Sequence, residues 1–331
     1  MPSDERLQQL HSWLNDCLAI SDYQLQPASG DASFRRYFRL SHNGHSDIVM
    51  DAPPEREDSQ PFVDISKALI NLGLNAPEVI EQDLEQGFLI LTDLGQQQYL
   101  DVLNENNADK LYGDAMQALL SLQAGGEAEY AFPDYDRKLL MTEMELFRNW
   151  LLDQHLGMVL SETEHACLDE VFNLLAESAL QQPQVAVHRD YHSRNLMLCD
   201  THNPGILDFQ DAVKGAVTYD LVSLLRDCYI AWPQVKVEAW VAGYHEQAVQ
   251  AGILPEENEA QFIRWFDLMG VQRHLKAAGI FARLNHRDGK SGYMKDIPRT
   301  LDYVLQVSNK YSELQGLGKL VEKTARQLDG I

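Results

Sequence analysis

The stretch VAVHRDYHSRNLMLCDTHNPGILDFQDAVKGAVTYD, from Val185 to Asp220, decides how the rest of the chain is read. His188-Arg189-Asp190 follows the apolar run Val185-Ala186-Val187, and Asn195 comes five residues after that Asp. Leu196-Met197-Leu198 comes next, and Asp208-Phe209-Gln210-Asp211 follows Gly205-Ile206-Leu207. Apolar runs this short, with turn residues from Cys199 to Pro204 between them, read as brief strands forming a hairpin. Such a hairpin gathers Asp190, Asn195 and Asp208 at one end of the strands. One carboxylate can then orient and deprotonate a hydroxyl, while an amide and a second carboxylate hold Mg²⁺ on phosphates. Phosphoryl transfer needs that set of groups. A single Asp in a loop after a strand is more often a turn or cap residue. The combination H-x-D-x-x-x-x-N followed by a strand ending in Asp is much rarer, and it occurs here in strand–loop–strand context.

Working outward, 331 residues are too many for one typical core and enough for two lobes. A hydrophobic content of 45% with 23% charged residues matches an ordinary globular protein. The net charge of -23 argues against nucleic acid or an anionic membrane as partner, because phosphate binding is driven by Lys and Arg clusters. It leaves room for a local basic pocket. Cys17, Cys167, Cys199 and Cys228 are scattered without metal-like spacing. No basic-plus-apolar leader and no apolar run of about 18 residues is seen. A cytoplasmic, reduced, monomeric chain is the expectation.

Toward the N-terminus, Ser3 before Asp4-Glu5 is a helix start, and Leu7, Leu10, Leu14 and Leu18 keep a helical stripe. That helix reads as packing without chemistry. Tyr23 to Pro27 and Phe34 to Leu40 read as strands around the turn Ala28-Ser29-Gly30-Asp31-Ala32-Ser33. Small turn residues let backbone N–H groups approach phosphate oxygens, though any hairpin turn has this composition. Arg35-Arg36 opens the second strand, and alternation puts one of the pair on each face. One can face phosphates under the loop; the plainer reading of each is a solvated edge-strand charge. Ile48 to Met50 is a third strand, ended by Asp51-Ala52-Pro53-Pro54, and Pro61 to Leu72 is an amphipathic helix stopped by Gly73. Pro77 to Ile80 and Phe88 to Leu91 are two further strands, the last leading into Thr92-Asp93-Leu94-Gly95. The expectation is a small antiparallel sheet lobe over residues 1–95.

Residues 96–331 read as a larger, mostly helical lobe. Leu111, Ala115, Leu119 and Leu122 form one stripe, Leu139, Phe147, Trp150 and Leu151 a second, and Leu168, Phe172 and Leu175 a third. Helices resume at Tyr219, and the polar tail after about Lys310 is expected to fray. Asp220 opens a helix, either as its N-cap or as a brace for the catalytic loop. The segment Asp267 to Asp296 concentrates Arg273, His274, Lys276, Arg283, His286, Arg287 and Lys290 in an acidic chain. Arg273, Lys276 and Arg283 share a helix face. The face reads either as solvated or as an anion or sugar site, with Arg273 and His274 its leading substrate residues.

Asp190, Asn195 and Asp208, with Leu91 to Gly95 upstream and Tyr219-Asp220-Leu221 downstream, resemble the aminoglycoside phosphotransferase and choline kinase branch of the protein-kinase-like fold. The resemblance runs over about residues 20 to 310. SGDASFRRYFRL, IVMDAPPE, QRHLKAAGIFARL and RDGKSGY narrow it to bacterial cell-wall recycling kinases, which act on the anomeric hydroxyl of N-acetylmuramate and N-acetylglucosamine. The fold implied is α+β and bilobal, a small antiparallel sheet lobe and a large helical lobe with a central catalytic hairpin. Asp190 becomes the catalytic base, Asn195 and Asp208 the Mg²⁺ ligands, and Thr92 and Leu94 the backbone contacts to the adenine of ATP. Gly30, Asp31, Ala32 and Ser33 would cover the phosphates, and Asp211 and Tyr219 lie near the acceptor. Two features depart from the family. Met50 and Asp51 stand where its strand-three Lys belongs, and only Asp64 lies inside the following helix, where its Glu partner belongs. Arg35 or Arg36 is the replacement cation in prospect. The alternatives are a kinase for choline, an aminoglycoside or homoserine, or a nucleotide-binding scaffold without transfer activity.

Overall fold

A computed structural model of the chain describes residues 5–18, 22–29, 34–255, 259–328 and 330. It divides into two compact units, one of Met1–Gln97 with Met197–Gln210, the other of Gln98–Leu196 with Asp211–Ile331.

The first unit opens with helix α1 (Glu5–Leu18) and strands β1 (Gln24–Ser29), β2 (Arg36–His42) and β3 (His45–Asp51). Helix α2 (Gln60–Asn71) and strands β4 (Val79–Asp83) and β5 (Phe88–Thr92) follow. The strands form one antiparallel sheet in the order β1-β2-β3-β5-β4. Register sets which residues share a face: Phe38 opposes Val49 and Val49 opposes Ile90, and two residues along Arg36 opposes Asp51 and Asp51 opposes Phe88. α1 covers this face, burying Leu10, Trp13 and Leu14 against Leu40, Val49, Phe88 and Ile90. Its apolar residues recur at helical spacing, and burying that stripe is what holds an isolated helix to a sheet. α2 starts with Pro61 in its first turn, buries Phe62, Ile65 and Leu69, and stops at Gly73, whose φ of 75° favours a residue without Cβ.

The second unit takes over with α3 (Tyr99–Val102), α4 (Ala108–Glu129) and α5 (Arg137–Leu146). α5 continues without a break into a π-helical segment, Phe147–His155. Next come α6 (Glu162–Gln181), begun by a capping box between Ser161 and Glu164, and strand β6 (Gln184–Val187). The chain then returns to the first unit as the hairpin of β7 (Leu196–Met197) and β8 (Gly205–Ile206). There Leu198 N–H donates to Gln97 O at 2.8 Å and Ile206 N–H to Asn75 O at 2.7 Å.

β9 (Val213–Ala216) goes back to the second unit and pairs antiparallel with β6, Gln184 opposite Ala216 and Val187 opposite Val213. So Val185 to Val187 does not pair with the hairpin strands it precedes. Its partner is a four-residue segment containing Lys214 and Gly215, too short and polar to register as a strand. Helices α7 (Tyr219–Leu225), α8 (Gln234–Gln250), α9 (Glu259–Asp288), α10 (Ile297–Ser308) and α11 (Gln315–Leu328) complete the unit. The tail after Lys310 is not frayed. Leu314, Leu317, Leu320, Val321 and Thr324 are buried, and Lys323 pairs with Glu164 at 2.7 Å. No helix among the described residues is long and apolar enough to cross a membrane.

α9, 30 residues long, is the axis of this unit, buried on most sides and packed on α5, α6, α7, α10 and the π-helical segment. Its crossing with the π-helical segment is closest at Gly279, where an added Cβ would lie 2.2 Å from Leu146 C and 2.4 Å from Phe147 N. Backbone cannot yield as a side chain can. Gly279→Ala is expected to lower stability by about 1–3 kcal/mol, read as a drop in Tm; an unchanged Tm would show that the crossing relaxes freely.

Candidate active site

In the second unit the loop that carries Asp190 runs from the end of β6 to Asn195. Two buried acids hold its backbone. Asp220, at the second position of α7, accepts N–H bonds from His188 (2.6 Å) and Arg189 (3.0 Å). The helix N-cap is Thr218, so the Asp220 carboxylate braces the loop and does not cap its own helix. Burial pushes its carboxyl up to about 7, against the pull of those two donors and of Arg273. Asp227 holds the next turn, accepting from Ser193 N–H (3.0 Å) and Ser193 Oγ (2.5 Å).

Arg189 sits at φ 77°, a left-handed conformation costly for a residue with a Cβ. Two contacts hold it there: its guanidinium donates to Glu143 Oε1 (2.6 Å) and to the Asp211 carbonyl (3.2 Å). The loop then turns back on itself. The Asp190 carbonyl accepts from His192 N–H (3.1 Å) and from Asn195 Nδ2 (3.0 Å). Spending the amide nitrogen on that carbonyl points the Asn195 oxygen the other way, as a hard oxygen donor suited to Mg²⁺.

The half-buried Asp190 carboxyl is subject to opposed effects. Burial raises its pKa, but the charges of Lys276, His192, Arg273 and Arg189 outweigh burial and hold it below the ordinary carboxylate range. Glu143, itself buried, anchors two of those cations: besides Arg189 it pairs with Lys276 (3.0 Å), and it accepts from Tyr135. Lys276 also donates to the Tyr219 hydroxyl at 2.9 Å. Tyr219 and Arg273 are thus buried beside the loop, and Asp211 reaches it through its backbone carbonyl while its side chain stays exposed.

His274 faces elsewhere. Its ring donates from Nε2 to the Arg226 carbonyl (2.8 Å) and stacks on Tyr303, centroids 4.8 Å apart. Neighbours on a helix diverge by about 100°, so Arg273 turns toward the loop and His274 toward α10.

In the first unit, Thr92 and Leu94 lie on one braced segment. Thr92 N–H donates to Glu78 O (3.0 Å), and its Oγ1 accepts from Glu78 N–H (2.9 Å). Asp93 accepts two bonds from Arg39 (2.7 and 3.0 Å), one from Ser46 Oγ (2.6 Å) and one from Gly95 N–H (3.0 Å). The hairpin touches this segment through Cys199 Sγ, 3.5 Å from the Leu94 carbonyl. Asp208 follows β8 at φ 64° and accepts from Gln210 Nε2 (2.7 Å), while Phe209 is buried with its ring 4.8 Å from Phe62. Arg35 pairs with Glu57 at 3.0 Å. Arg36 donates twice to the fully buried Asp51, whose other oxygen takes Arg6 of α1 at 2.7 Å. Gly30, Asp31, Ala32 and Ser33 lie outside the described residues.

Glu143 and Asp227 are the site residues that sequence reasoning passes over. Glu143 offers one signal, an acid on the buried face of an amphipathic helix; Asp227 offers none. The burial of His274 has a measurable consequence. Burial pushes its imidazole from 6.5 down to about 3, so unfolding takes up a proton below pH 6.5. Stability from this group is present above pH 6.5 and lost as pH falls. By linkage that loss is about 2 kcal/mol between pH 7 and pH 5. His274→Gln keeps a donor and does not titrate, so its Tm is expected to fall less over that interval than the wild type's. Equal slopes would refute the assignment.

The sequence profile of the phosphotransferase enzyme family matches residues 24–261. The chain is 48% identical over 328 residues to an N-acetylmuramate/N-acetylglucosamine kinase of Pseudomonas putida, covering 96% of each. It is 46% identical over 331 residues to the kinase of the same name from Pseudomonas aeruginosa, covering 97% of each. Among solved structures, a choline kinase from Streptococcus pneumoniae superposes with a TM-score of 0.62 at 11% identity, over 91% of this chain and 99% of that one. An ADP-bound aminoglycoside phosphotransferase, APH(2'')-Ib, gives 0.58 at 16% identity, over 91% and 97%. At such identities these two speak for the fold alone, an α+β protein-kinase-like architecture. With the family profile spanning most of the chain and named kinases aligning along nearly all of it, the chain belongs to the phosphotransferase enzyme family.

Proposed function

We propose that this phosphotransferase moves the γ-phosphoryl group of ATP to the anomeric hydroxyl of N-acetylmuramate and of N-acetylglucosamine, working in the cytoplasm. What carries the acceptor is the near end-to-end likeness to kinases of that name. In this reading Asp190 is the catalytic base and Asn195 and Asp208 are the Mg²⁺ ligands, each contributing an oxygen of the hard type that ion prefers. Bound there, Mg²⁺ would neutralise charge on the phosphates.

The chain's own groups do the rest. A carboxylate held ionised by Lys276, Arg273 and Arg189 is a weak base. Weak suffices, because an anomeric hydroxyl is more acidic than an ordinary alcohol and phosphoryl transfer asks more for positioning than for proton abstraction. Asp190 fixes the hydroxyl and takes its proton as the bond to phosphorus forms. Backbone groups of Thr92 and Leu94 are proposed to meet adenine, and the segment Gly30 to Ser33 to cover the phosphates. Arg273 sustains the charge on Asp190, Tyr219 holds Lys276, and Asp211 stands at the acceptor's edge. His274, neutral and turned to α10, leaves recognition of an acceptor carboxylate to another cation.

Of the two arginines that could replace the strand-three Lys, Arg35 is the better supported. Arg36 shares the sheet face that α1 covers and is tied to Asp51 there, whereas Arg35 leads out of the Gly30 to Ser33 segment and is steadied by Glu57. Arg35→Ala is expected to raise KM for ATP about tenfold or more, and Arg36→Ala to lower Tm with less effect on that KM. The reverse pattern would exchange their roles. Asp190→Asn should cut kcat by about 10²–10⁴-fold with little change in ATP affinity; a variant that keeps its rate would remove the base from the mechanism. Phosphorus NMR of the product from N-acetylmuramate and ATP should give a sugar 1-phosphate. Turnover confined to choline or an aminoglycoside would overturn the acceptor.

A further inference from the structure

We propose that Arg194 binds the carboxylate of the acidic acceptor and so sets the preference between N-acetylmuramate and N-acetylglucosamine, an inference that rests on the amino-sugar reading above. Arg194 lies on the catalytic loop, four residues after Asp190 and directly before Asn195. Its guanidinium sits between two rings, 4.9 Å from the centroid of Tyr229 and 5.3 Å from that of Tyr293. Both rings pack against Phe281, at 6.1 and 5.6 Å, so three elements of the second unit fix the walls. Tyr229 is fixed further by its N–H bond to Asp227 (2.9 Å) and by the His192 ring (5.3 Å).

The charge pattern around it is unequal. Arg189 and Lys276 share Glu143, Arg226 is taken by Asp267 at 2.6 Å, and Arg299 by Asp296 at 3.1 Å. Arg194, partly exposed, has no carboxylate within ion-pair distance among the described residues. The guanidinium is held by both rings and hydrogen-bonds the side chains of Tyr229 and Tyr293, and the N–H groups that remain of its five can meet a carboxylate. The rings lock the rotamer beforehand, so little ordering is lost when the anion arrives. The acid of the two sugars carries a lactyl carboxylate, the other a plain hydroxyl. A cation one residue from a proposed metal ligand therefore reads the difference between acceptors and leaves the attacked hydroxyl alone.

The test is steady-state kinetics at saturating ATP with three acceptors: N-acetylmuramate, its methyl ester and N-acetylglucosamine. Arg194→Gln is expected to lower the ratio of kcat/KM for N-acetylmuramate over N-acetylglucosamine by about 10- to 100-fold, chiefly through KM for the acid, with Arg194→Lys restoring part of it. Wild-type enzyme should favour the free acid over the ester by a similar factor, and Arg194→Gln should not. An unmoved ratio, or equal losses on both sugars, would overturn the role of Arg194 and leave the sugar kinase standing. A wild-type enzyme that phosphorylates neither sugar would overturn both. Should Arg194→Gln fail to fold by its Tm, acid against ester in the wild type still decides, and equal rates there refute the contact.

Discussion

A carboxylate shut away from water, that of Asp220, holds two consecutive backbone N–H groups of the loop that carries Asp190, and the loop's shape follows from it. With His188 and Arg189 fixed, Arg189 is driven into a left-handed backbone and its side chain toward Glu143. The chain then closes on the Asp190 carbonyl, which draws in both His192 N–H and the Asn195 amide. The first of these bonds, from His188 N–H to Asp220, has both partners out of water, where an unmade bond is expensive, and those that follow are partly buried. The side chains of Asp190 and Asn195 are placed by a backbone tied at both ends.

Around that loop the charge balance inverts. A chain with a net charge of -23 gathers Arg189, Arg273 and Lys276 about one acid, two of them from the buried face of α9. Desolvating so many charges is tolerated because Glu143 stands among them, receiving Arg189, Lys276 and the Tyr135 hydroxyl. The net acidity of the chain and the local basicity around Asp190 are separate matters.

What could be read from the chain in advance was what is local. The spacing of Asp190, Asn195 and Asp208 lies within one hairpin's length, and the sheet strands announce themselves by apolar alternation. Arg273 and Lys276 were legible as one helix face, because period alone puts them there. Glu143 and Asp227 were not, since each meets the loop across 46 and 34 residues of sequence, and nothing in a short window reports such a meeting. His274 shared the charge of its neighbours but not their direction. β9 exists through its pairing with β6, and the order of α11 through a stripe of Leu and Val that its many polar residues conceal. The family's strand-three Lys has no counterpart here. That strand ends instead in Asp51, an acid that binds two arginines of its own.

The hairpin of β7 and β8 belongs to the first unit although chain of the second unit lies on both sides of it. The polypeptide therefore passes from one unit to the other three times, after Gln97, Leu196 and Gln210. A single cut cannot release either unit whole. A fragment ending at Gln97 lacks the hairpin that bonds to Asn75 and Gln97, and its complement carries that hairpin without those two partners. Exchange of residues 1–97 between relatives by one crossover would set the hairpin of one parent against the Asn75 and Gln97 of the other.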